Sequence, residues 1–351
     1  MLVRGSRAER QWHVATRQRR DDVELTVGEH TVTVTNPSKV FFAARGETKL
    51  DLVRYYVTVG EAALRGVHDR PVVMKRYPDG AEGPSFFQKR VPHNRPAWLQ
   101  TATVHFPSGR SAEEVCPADV AHLAWMANLG CIDLNPWPVR RADLDHPDEL
   151  RVDLDPQEGV PFAAVRDVAL LAREVLDEHG FCAFPKTSGS RGMHLVVPIE
   201  PRHGFGDVRR GALALARELE RRRPDLATAK WWKSERGRRV FVDYNQNARD
   251  RTVASVYSVR AVPDARVSCP LTWEEVPDVD PATFTMATVP ARLEHTGDPF
   301  SGVDERRYPL EPLLEMAERD DAKGLADAPW PPHFPKGERE PRRAPPRARG
   351  N

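Results

Sequence analysis

The sequence has few cysteines and no long apolar run. Its four cysteines, Cys116, Cys131, Cys182 and Cys269, are dispersed and form no C-x-x-C pair, which argues against a disulfide framework and a zinc ribbon. The spacing leaves open only a loose zinc site from Cys116, His122 and Cys131. No segment approaches the run of about 18 apolar residues that a membrane-spanning helix needs. No membrane partner is therefore expected.

The sequence also has no excess of either charge. It contains 52 Lys and Arg against 51 Asp and Glu, a net charge of +1. This balance excludes a uniformly basic nucleic-acid coat but permits a local basic groove. The N-terminus is polar and Arg-rich and lacks the apolar core of a signal peptide. We therefore expect a cytoplasmic protein.

What the sequence does contain is a pair of acids within the strand-like stretch RVDLD, residues 151–155. Val and Leu favour strands, and side chains two residues apart on a strand share a face. Asp153 and Asp155 therefore point the same way and repel each other. If no other acid lay nearby, two such carboxylates could simply be solvated at the end of a strand. A functional interpretation therefore depends on the neighbouring residues.

Residues 150–260 carry apolar patterns in the order β-α-β-β-α-β, the split βαβ arrangement. The first strand of that arrangement lies centrally, beside the third and the fourth. Asp243, in the last predicted strand, should then neighbour Asp153 and Asp155 on the face that the two helices leave open. The preceding half, about residues 23–149, is predicted to be mixed α/β, so the predicted fold class is α+β.

Three carboxylates on one open face require a cation among them. Ligands that are all oxygen favour Mg²⁺ or Mn²⁺ over Zn²⁺. Two such ions suit in-line phosphoryl transfer, since one activates the attacking hydroxyl and the other steadies the leaving group. The sequence therefore predicts two divalent metals, Mn²⁺ or Mg²⁺, held by Asp153, Asp155 and Asp243.

The turn TSGSRGMH, residues 187–194, follows the second predicted strand. Gly189 and Gly192 permit a tight turn whose exposed backbone N–H groups could form a nest for phosphate. Ser188 and Ser190 add hydroxyl donors, and Arg191 and His194 follow them. An ordinary hairpin turn is the alternative. The motif is not a Walker A loop, because G-x-x-x-x-G-K is absent.

Basic residues surround both features. Lys75, Arg76, Lys89 and Arg90 bracket the pair Phe86–Phe87, an arrangement that suits a base stacked on a ring with its phosphates clamped. Because neighbours on a strand face opposite ways, one of these two phenylalanines is predicted to lie in the core. Further basic positions are Arg236, Arg238, Arg239 and Arg260.

The segments VDLDP, TSGSRGMHLVVP and VFVDYNQN resemble the three motifs of the archaeo-eukaryotic primase superfamily, in particular the polymerase domain of bacterial ATP-dependent DNA ligase D. TNPSKVFF, KRYPDG, FFQKR and YSVRA resemble it in the same order, from about residue 30 to about residue 300. The resemblance implies a primase-polymerase fold with an RRM-like (split βαβ) catalytic module and an N-terminal mixed α/β module.

The resemblance also implies a role for individual residues. Asp153, Asp155 and Asp243 would be catalytic and hold the metals. A second set would bind the nucleotide: Lys75, Phe86, Phe87, Asn135, Ser188, Gly189, Arg191, His194, Arg236, Gln246 and Arg260. A third set would bind DNA near a 5′-phosphate: Asn36, Lys39 and Lys49. Arg191 stands where the family often has Lys, which keeps the charge but changes the geometry.

Two features depart from the family pattern. Asn135, in DLNPWPVR, stands where the family has a His that touches the incoming nucleotide, and Asn cannot carry charge. No K-x-D-G nucleotidyl-lysine motif occurs, so no fused ligase is expected and the chain resembles a stand-alone polymerase.

The implied organisation has a disordered leader, a catalytic domain and a tail. The leader covers residues 1–22 and the catalytic domain residues 23–310. Within that domain we distinguish an N-terminal module (23–149), the RRM-like metal-binding module (150–265) and C-terminal elements (266–310). The tail, residues 311–351, is expected to be largely disordered at its end, where it is rich in Pro and Arg.

The expected function is a DNA repair polymerase that transfers nucleotides from rNTP or dNTP to a primer 3′-hydroxyl, in gap filling or end joining. The expected partners are a DNA primer-template with gapped or broken 5′-phosphorylated ends, a Ku-like end-binding protein and a separate ligase, in the bacterial nucleoid. Three alternatives stay open: a primase that starts strands de novo, a metal-dependent nuclease, and a DNA-end-binding module with reduced catalysis.

Overall fold

A computed structural model of the chain describes residues 21–332 and Phe334. The leader up to residue 20 and the end of the tail lie outside these residues. The strands are β1 Val23–Val27, β2 His30–Val34, β3 Val40–Phe42, β4 Glu47–Thr48, β5 Val72–Arg76, β6 Phe86–Gln88, β7 Thr101–His105, β8 Ser111–Val115, β9 Cys131–Pro136, β10 Glu149–Pro156, β11 Phe184–Thr187, β12 Met193–Pro198, β13 Ala227–Thr228, β14 Val240–Val242, β15 Ser258–Val259 and β16 Val267–Ser268. The helices are α1 Lys49–Thr58, α2 Gly60–Arg65, α3 Val120–Asn128, α4 Phe162–Glu178, α5 Phe205–Arg222, α6 Val289–Thr296 and α7 Glu311–Ala322.

Short 3₁₀ helices complete these elements. They are Lys233–Glu235, Tyr244–Asn247, Pro281–Thr283 and Ser301–Asp304. Within the described part of the chain, no helix is both long enough and apolar enough to cross a membrane.

The second half is built on a five-stranded sheet in the order β11-β12-β10-β14-β13. β10 lies centrally and pairs antiparallel with both β12 and β14, which confirms the predicted split βαβ order. β13 was not predicted; it is only two residues long and pairs parallel with β14 at the sheet edge.

Helices α4 and α5 cover one face of this sheet. The buried face of α4 consists of residues at helical spacing: Val165, Val168, Ala169, Ala172, Val175 and Leu176. They share one core with Val152 and Leu154 of β10. Because residues alternate along β10, Asp153 and Asp155 lie on the opposite face.

The first half forms a second sheet of five strands. Four of them lie in the order β6-β5-β8-β7, and the fifth, β9, pairs with β5. The hairpin β1-β2 and helices α1 to α3 pack around it in a core that extends to β15 and β16. Two short helices follow one another here, since α1 ends at Thr58 and α2 begins at Gly60. A Cβ at Gly60 would lie 2.4 Å from Val120 Cγ1, so glycine is needed where α3 passes.

A buried ion network joins the two halves at the start of β10. Asp148, whose side chain is 3% exposed, is paired with Arg70, Arg140 and Arg307. Arg70 also lies 3.1 Å from Glu149, the first residue of β10. Burial raises the pKa of Asp148, but the guanidinium groups of Arg70 and Arg140 outweigh it and hold this pKa far below its ordinary value.

The region predicted as a tail begins with an ordered helix, α7, which packs on α5. The segment after it returns to the sheet at Arg209 of α5. The Arg209 guanidinium donates to Asp327 Oδ1 (2.9 Å), to the carbonyl of Ala328 (2.7 Å) and to Asn245 Oδ1 (2.7 Å). It also stacks 4.1 Å from the Trp330 ring. The C-terminal segment is therefore tied to the turn that follows β14.

Candidate active site

The three predicted carboxylates meet where β10 and β14 lie side by side. The backbone N–H of Asp243 donates to the carbonyl of Asp153 at 2.8 Å, one residue beyond the pair Leu154–Val242. Asp243 is not within the strand as predicted, because β14 ends at Val242. It caps the 3₁₀ turn instead, since its Oδ1 accepts the N–H of Asn245 at 3.0 Å.

The electrostatics of these acids reflect their proximity. Burial, followed by the charges of Asp243 and Asp155, raises the pKa of Asp153 to about 8. Burial also raises the pKa of Asp243 to about 6, while the N–H of Asn245 and the charge of Arg236 oppose the shift. Shifts of this kind are typical of functional sites.

The donor set fits a hard divalent cation, because every candidate ligand is a carboxylate oxygen. Among the described residues, however, no three His, Cys, Asp or Glu side chains form a group that could hold a metal ion by themselves. A cation here would therefore complete its coordination with oxygens from elsewhere, such as phosphate or water. The same finding removes the loose zinc site of Cys116, His122 and Cys131.

The turn between β11 and β12 lies next to the carboxylates, as predicted. Its glycines are sterically required: a Cβ at Gly192 would lie 2.2 Å from the carbonyl oxygen of Leu154, and one at Gly189 would lie 2.5 Å from Arg260 Cγ. Gly189 also has a φ of +68°, in the left-handed region that favours glycine.

The expected nest of exposed N–H groups is wrong in part. Ser188 Oγ accepts the N–H of Ser190 at 3.2 Å and that of Gly192 at 3.1 Å. Those two donors are used inside the turn, and the Ser188 hydroxyl keeps its own proton to donate. Arg191 and Ser190 are exposed at the tip.

His194 stands directly opposite Asp153 on the neighbouring strand. Its Nε2 lies 3.4 Å from Asp153 Oδ1, and its Nδ1 lies 2.7 Å from Nζ of Lys186. Burial lowers the pKa of His194 well below its ordinary value, and the charge of Lys186 adds to the shift. Both effects favour the neutral imidazole.

Lys186 was not predicted as a site residue. It is 1% exposed and faces His194 across β11 and β12. Burial lowers the pKa of Lys186 well below its ordinary value and Arg260 adds to the shift, whereas the charge of Asp153 opposes it. A lysine directly before the Ser/Gly turn, eight residues from His194, was the sequence signal that could have found it.

Phe86 and Phe87 are both exposed, 47% and 64%, so the prediction that one lies in the core is wrong. β6 is a three-residue edge strand, and no core covers either side of it. Lys75 Nζ lies 5.8 Å from the Phe87 ring centroid, and Arg76 lies 5.5 Å from that of Phe86. The two rings therefore stand in solvent beside cations.

Asn135 lies on β9 opposite Val73, and its amide reaches back to the carbonyl of Asp133 at 3.5 Å. Asp133, two residues earlier, is another residue that the sequence reading missed. It is 4% exposed, and burial raises its pKa against the charges of Arg260 and Lys75. The influence of those two cations on Asp133 places β9 beside the predicted nucleotide residues.

Arg236 and Gln246 were predicted near the nucleotide or template. Gln246 Nε2 donates to Asp243 Oδ2 at 3.3 Å, so it lies at the carboxylates. Arg236 is 5% exposed, donates to the carbonyls of Lys230 and Trp231, and stacks 3.5 Å from the Phe241 ring centroid. From this buried position, its charge lowers the pKa of Asp243.

The three predicted DNA-binding residues lie together. The N–H of Lys39 donates to the carbonyl of Asn36, and that of Lys49 to the carbonyl of Lys39. Lys39 pairs with Asp79 at 2.8 Å. Lys49 is 6% exposed, its Nζ donates to Thr35 Oγ1 and to the carbonyl of Asn128, and burial lowers its pKa to about 8.

A cavity of about 760 Å³ lies between α5, α7 and the C-terminal segment, on the helix-covered face of the sheet. Its arginines are already paired: Arg210 with Asp321 and Arg217 with Asp320. The carboxylates lie outside it, so we place the chemistry at the open sheet face.

The sequence-family model of the LigD primase-polymerase domain matches residues 48–300 of this chain. The chain belongs to this family. Among curated LigD proteins, the multifunctional non-homologous end joining DNA repair protein of Mycobacterium tuberculosis is 34% identical over 295 residues, which cover 80% of this chain and 38% of that protein. The bifunctional non-homologous end joining protein LigD of Bacillus subtilis is 30% identical over 268 residues, 76% of this chain and 43% of that protein.

A solved LigD structure matches the fold directly. The polymerase domain of Mycobacterium tuberculosis ligase D in complex with DNA superposes with a TM-score of 0.74 at 34% identity, covering 79% of this chain and 99% of that one. The chain spans less than half the length of the curated LigD proteins it matches. The likeness therefore concerns their polymerase domain.

Proposed function

We propose that this chain is a DNA repair polymerase, a nucleotidyltransferase that adds nucleotides from rNTP or dNTP to a primer 3′-hydroxyl in end joining or gap filling. The observation that carries the proposal is the convergence of Asp153, Asp155 and Asp243 beside the Ser188–Gly192 turn, in a chain of the LigD polymerase family. A relative solved in complex with DNA supports nucleic acid as the partner.

Asp153, Asp155 and Asp243 would hold two divalent cations, Mn²⁺ or Mg²⁺. When bound, these would lower the pKa of the attacking hydroxyl and neutralise the leaving pyrophosphate. The protein's own part is to hold the carboxylates in a fixed orientation. Asn245 N–H and Gln246 Nε2 each hold one oxygen of Asp243, so that ligand is fixed before a cation arrives.

The triphosphate would lie along the turn. The free proton of Ser188, the exposed guanidinium of Arg191 and the neighbouring Arg260 supply donors and charge that match phosphate oxygens. The base would stack on Phe87 or Phe86, whose exposure is otherwise unfavourable for two large apolar rings. Positioning and charge neutralisation would then account for most of the rate enhancement.

The DNA would be held by a second site around Asn36, Lys39 and Lys49. Lys39 is partly exposed at its side chain and faces an acid that a phosphate could displace. We propose that this second site binds the 5′-phosphate of a gap or break. A Ku-like end-binding protein and a separate ligase would act on the same ends.

The test is primer extension on a gapped duplex with a 5′-phosphate, using rNTP or dNTP with Mg²⁺ or Mn²⁺. Asp155→Ala should lower extension by at least about a hundredfold, since one metal ligand is lost, and should leave the urea midpoint at or above that of the wild type. Asp278→Asn, an exposed acid far along the chain, is the matched control and should extend normally.

Wild-type extension by Asp155→Ala would refute the assignment. DNA cleavage with metal and no nucleotide would instead identify a nuclease, and strand initiation on template alone would identify a primase. Binding of ends without extension in either metal would identify an end-binding module.

A further inference from the structure

We infer that Lys89 and Asp250 form a positioning pair that fixes the two exposed rings of β6 against the loop that follows the active-site 3₁₀ turn. The two residues belong to different halves of the molecule, since Lys89 directly follows β6 and Asp250 follows the turn Tyr244–Asn247. Lys89 Nζ lies 2.6 Å from Asp250 Oδ1. The inference rests on the proposed function only for what the rings bind.

The strand that carries the rings has little support of its own. β6 is an edge strand of three residues, and β5 is its one partner among the described strands. Phe86 and Phe87 are 47% and 64% exposed, so burial fixes neither ring. Gln88 is held by Arg76, whose Nη1 donates to Gln88 Oε1 at 2.7 Å. The next residue, Lys89, supplies a further fixed point.

Lys89 is held by two partners at once. Besides the Asp250 carboxylate, its Nζ lies 4.0 Å from the centroid of the Phe106 ring, which is a cation–π distance. Phe106 in turn packs against the buried Trp137. A lysine that binds a ring and a carboxylate together loses its rotamer freedom. The end of β6 is therefore anchored on the side where β5 gives no support.

Asp250 lies on a loop that is itself fixed. The neighbouring Arg249 donates from Nε to the carbonyl of His105 at 2.9 Å and from Nη1 to Asp145 Oδ1 at 2.7 Å. Asp250 has a φ of +65°, in the left-handed region that Asp tolerates better than most residues. The loop continues from the 3₁₀ turn that Asp243 caps. The pair thus connects the rings to the element that orients a carboxylate.

A second acid near the pair does not compete for Lys89. Glu114 is fully buried, and its Oε2 accepts the indole N–H of Trp137 at 3.0 Å. Burial raises the pKa of Glu114 to about 8, although the charge of Lys89 opposes the shift. At pH 7 Glu114 is therefore a neutral acid, and the Lys89 ammonium pairs with Asp250.

A nucleotide in the proposed site would depend on both ends of this connection. Its base would stack on the rings, while its triphosphate would lie beside the carboxylates. Two binding points reinforce each other only when their spacing is fixed before the ligand arrives. Loss of the pair should therefore weaken nucleotide binding, although neither Lys89 nor Asp250 needs to touch the nucleotide.

The test is amide hydrogen exchange of the full-length protein at about pH 7, without nucleotide or DNA. Lys89→Met keeps the aliphatic stem on Phe106 but removes the charge. Residues 84–92 and 245–252 should both exchange about two- to fivefold faster, the range expected for a partly exposed ion pair. Unchanged exchange in either segment would overturn the inference, whether or not the protein is a polymerase.

The control is Arg210→Met, which breaks an ion pair of the same length (2.6 Å) between α5 and α7. It should leave the exchange of both segments unchanged. Faster exchange of the same two segments in this variant would contradict the inference, because it would show a general loosening of the fold.

Two further variants test the identity of the pair. Asp250→Asn removes the charge and keeps a residue that tolerates the left-handed backbone, so it should reproduce the exchange of Lys89→Met. Lys89→Arg keeps both the charge and the contact with the Phe106 ring and should match the wild type. Wild-type exchange in Asp250→Asn would show that Lys89 does not act through Asp250.

Kinetics supply a second readout. Lys89→Met should raise the nucleotide KM about two- to fivefold and change kcat by less than about twofold. In a Phe86→Ala/Phe87→Ala background the same change should have no further effect, because the pair acts through the rings. A further loss in that background, or a fall in kcat alone, would contradict the positioning role. A wild type that extends no primer would refute the proposed function, whereas the exchange experiment would still decide for or against the pair.

Discussion

Replacing Asp153 by Asn should stabilise the metal-free protein, because the buried carboxylate is held against two other acids. Its pKa is raised from 3.8 to about 8. At pH 7 the folded protein therefore keeps a proton that the unfolded chain has released, which costs about 4 kcal/mol relative to an unperturbed carboxyl. The free energy of unfolding of a typical domain is roughly 5–15 kcal/mol, so this cost is a large fraction of it. Asn has the same shape without the charge.

The effect has a definite pH dependence. The folded protein keeps the Asp153 proton up to about pH 8, whereas the unfolded chain releases it near pH 3.8. The wild type therefore loses stability as the pH rises between these values, by about 1.4 kcal/mol per pH unit for this one proton. Asp153→Asn lacks this loss, so the advantage of the variant should grow across the same window and level off above about pH 8.

The measurement is urea unfolding in the presence of a chelator at about pH 5, 6, 7 and 8. Asp278→Asn, which removes an exposed acid, controls for the change in net charge and should follow the wild type. Unfolding free energies of wild type and Asp153→Asn that run parallel from pH 5 to pH 8 would refute the raised pKa and the convergence of the three acids.

The remaining predictions concern the ion network and the exposed rings. Asp148→Asn should destabilise the protein by about 3–5 kcal/mol, because it leaves three arginines around a neutral group, and it should flatten acid unfolding. The depressed pKa of Asp148 means that its stabilisation is present above about pH 4 and is lost as the pH falls further; an unchanged urea midpoint at pH 7 would contradict this. Phe87→Ala should raise the nucleotide KM by about tenfold through lost base stacking and change stability by less than about 0.5 kcal/mol; if neither this variant nor Phe86→Ala changes KM, the base stacks elsewhere.

Much of the catalytic half could be predicted from apolar periodicity. The six buried residues of α4 follow from helical spacing alone, and the alternation in RVDLD assigns its acids to the face opposite the helices. The pairing of β10 with β12 and β14 follows from the order of the elements. These features are local or topological, and a single sequence carries them.

The parts that were missed depend on what a strand or side chain meets in space. An edge strand of three residues leaves both Phe86 and Phe87 in solvent, which alternation cannot reveal. Two backbone N–H groups of the Ser/Gly turn donate to Ser188 Oγ. Several acceptors could receive these hydrogen bonds, and only the backbone conformation determines which one does. Lys186 and Asp133 are ordinary residues within strands, and their importance arises from burial beside other charges.

The hydrogen bonds between Arg209 and the C-terminal segment have a consequence for local unfolding. If residues 327–330 detached, Arg209 would lose Asp327 and the carbonyl of Ala328, and Asn245 Nδ2 would lose the carbonyl of Pro329. A guanidinium that is 1% exposed would then remain next to the turn that orients Asp243. Amide exchange of that turn and of the C-terminal segment should therefore proceed as one cooperative unit, so that the orientation of Asp243 is maintained from the opposite side of the sheet.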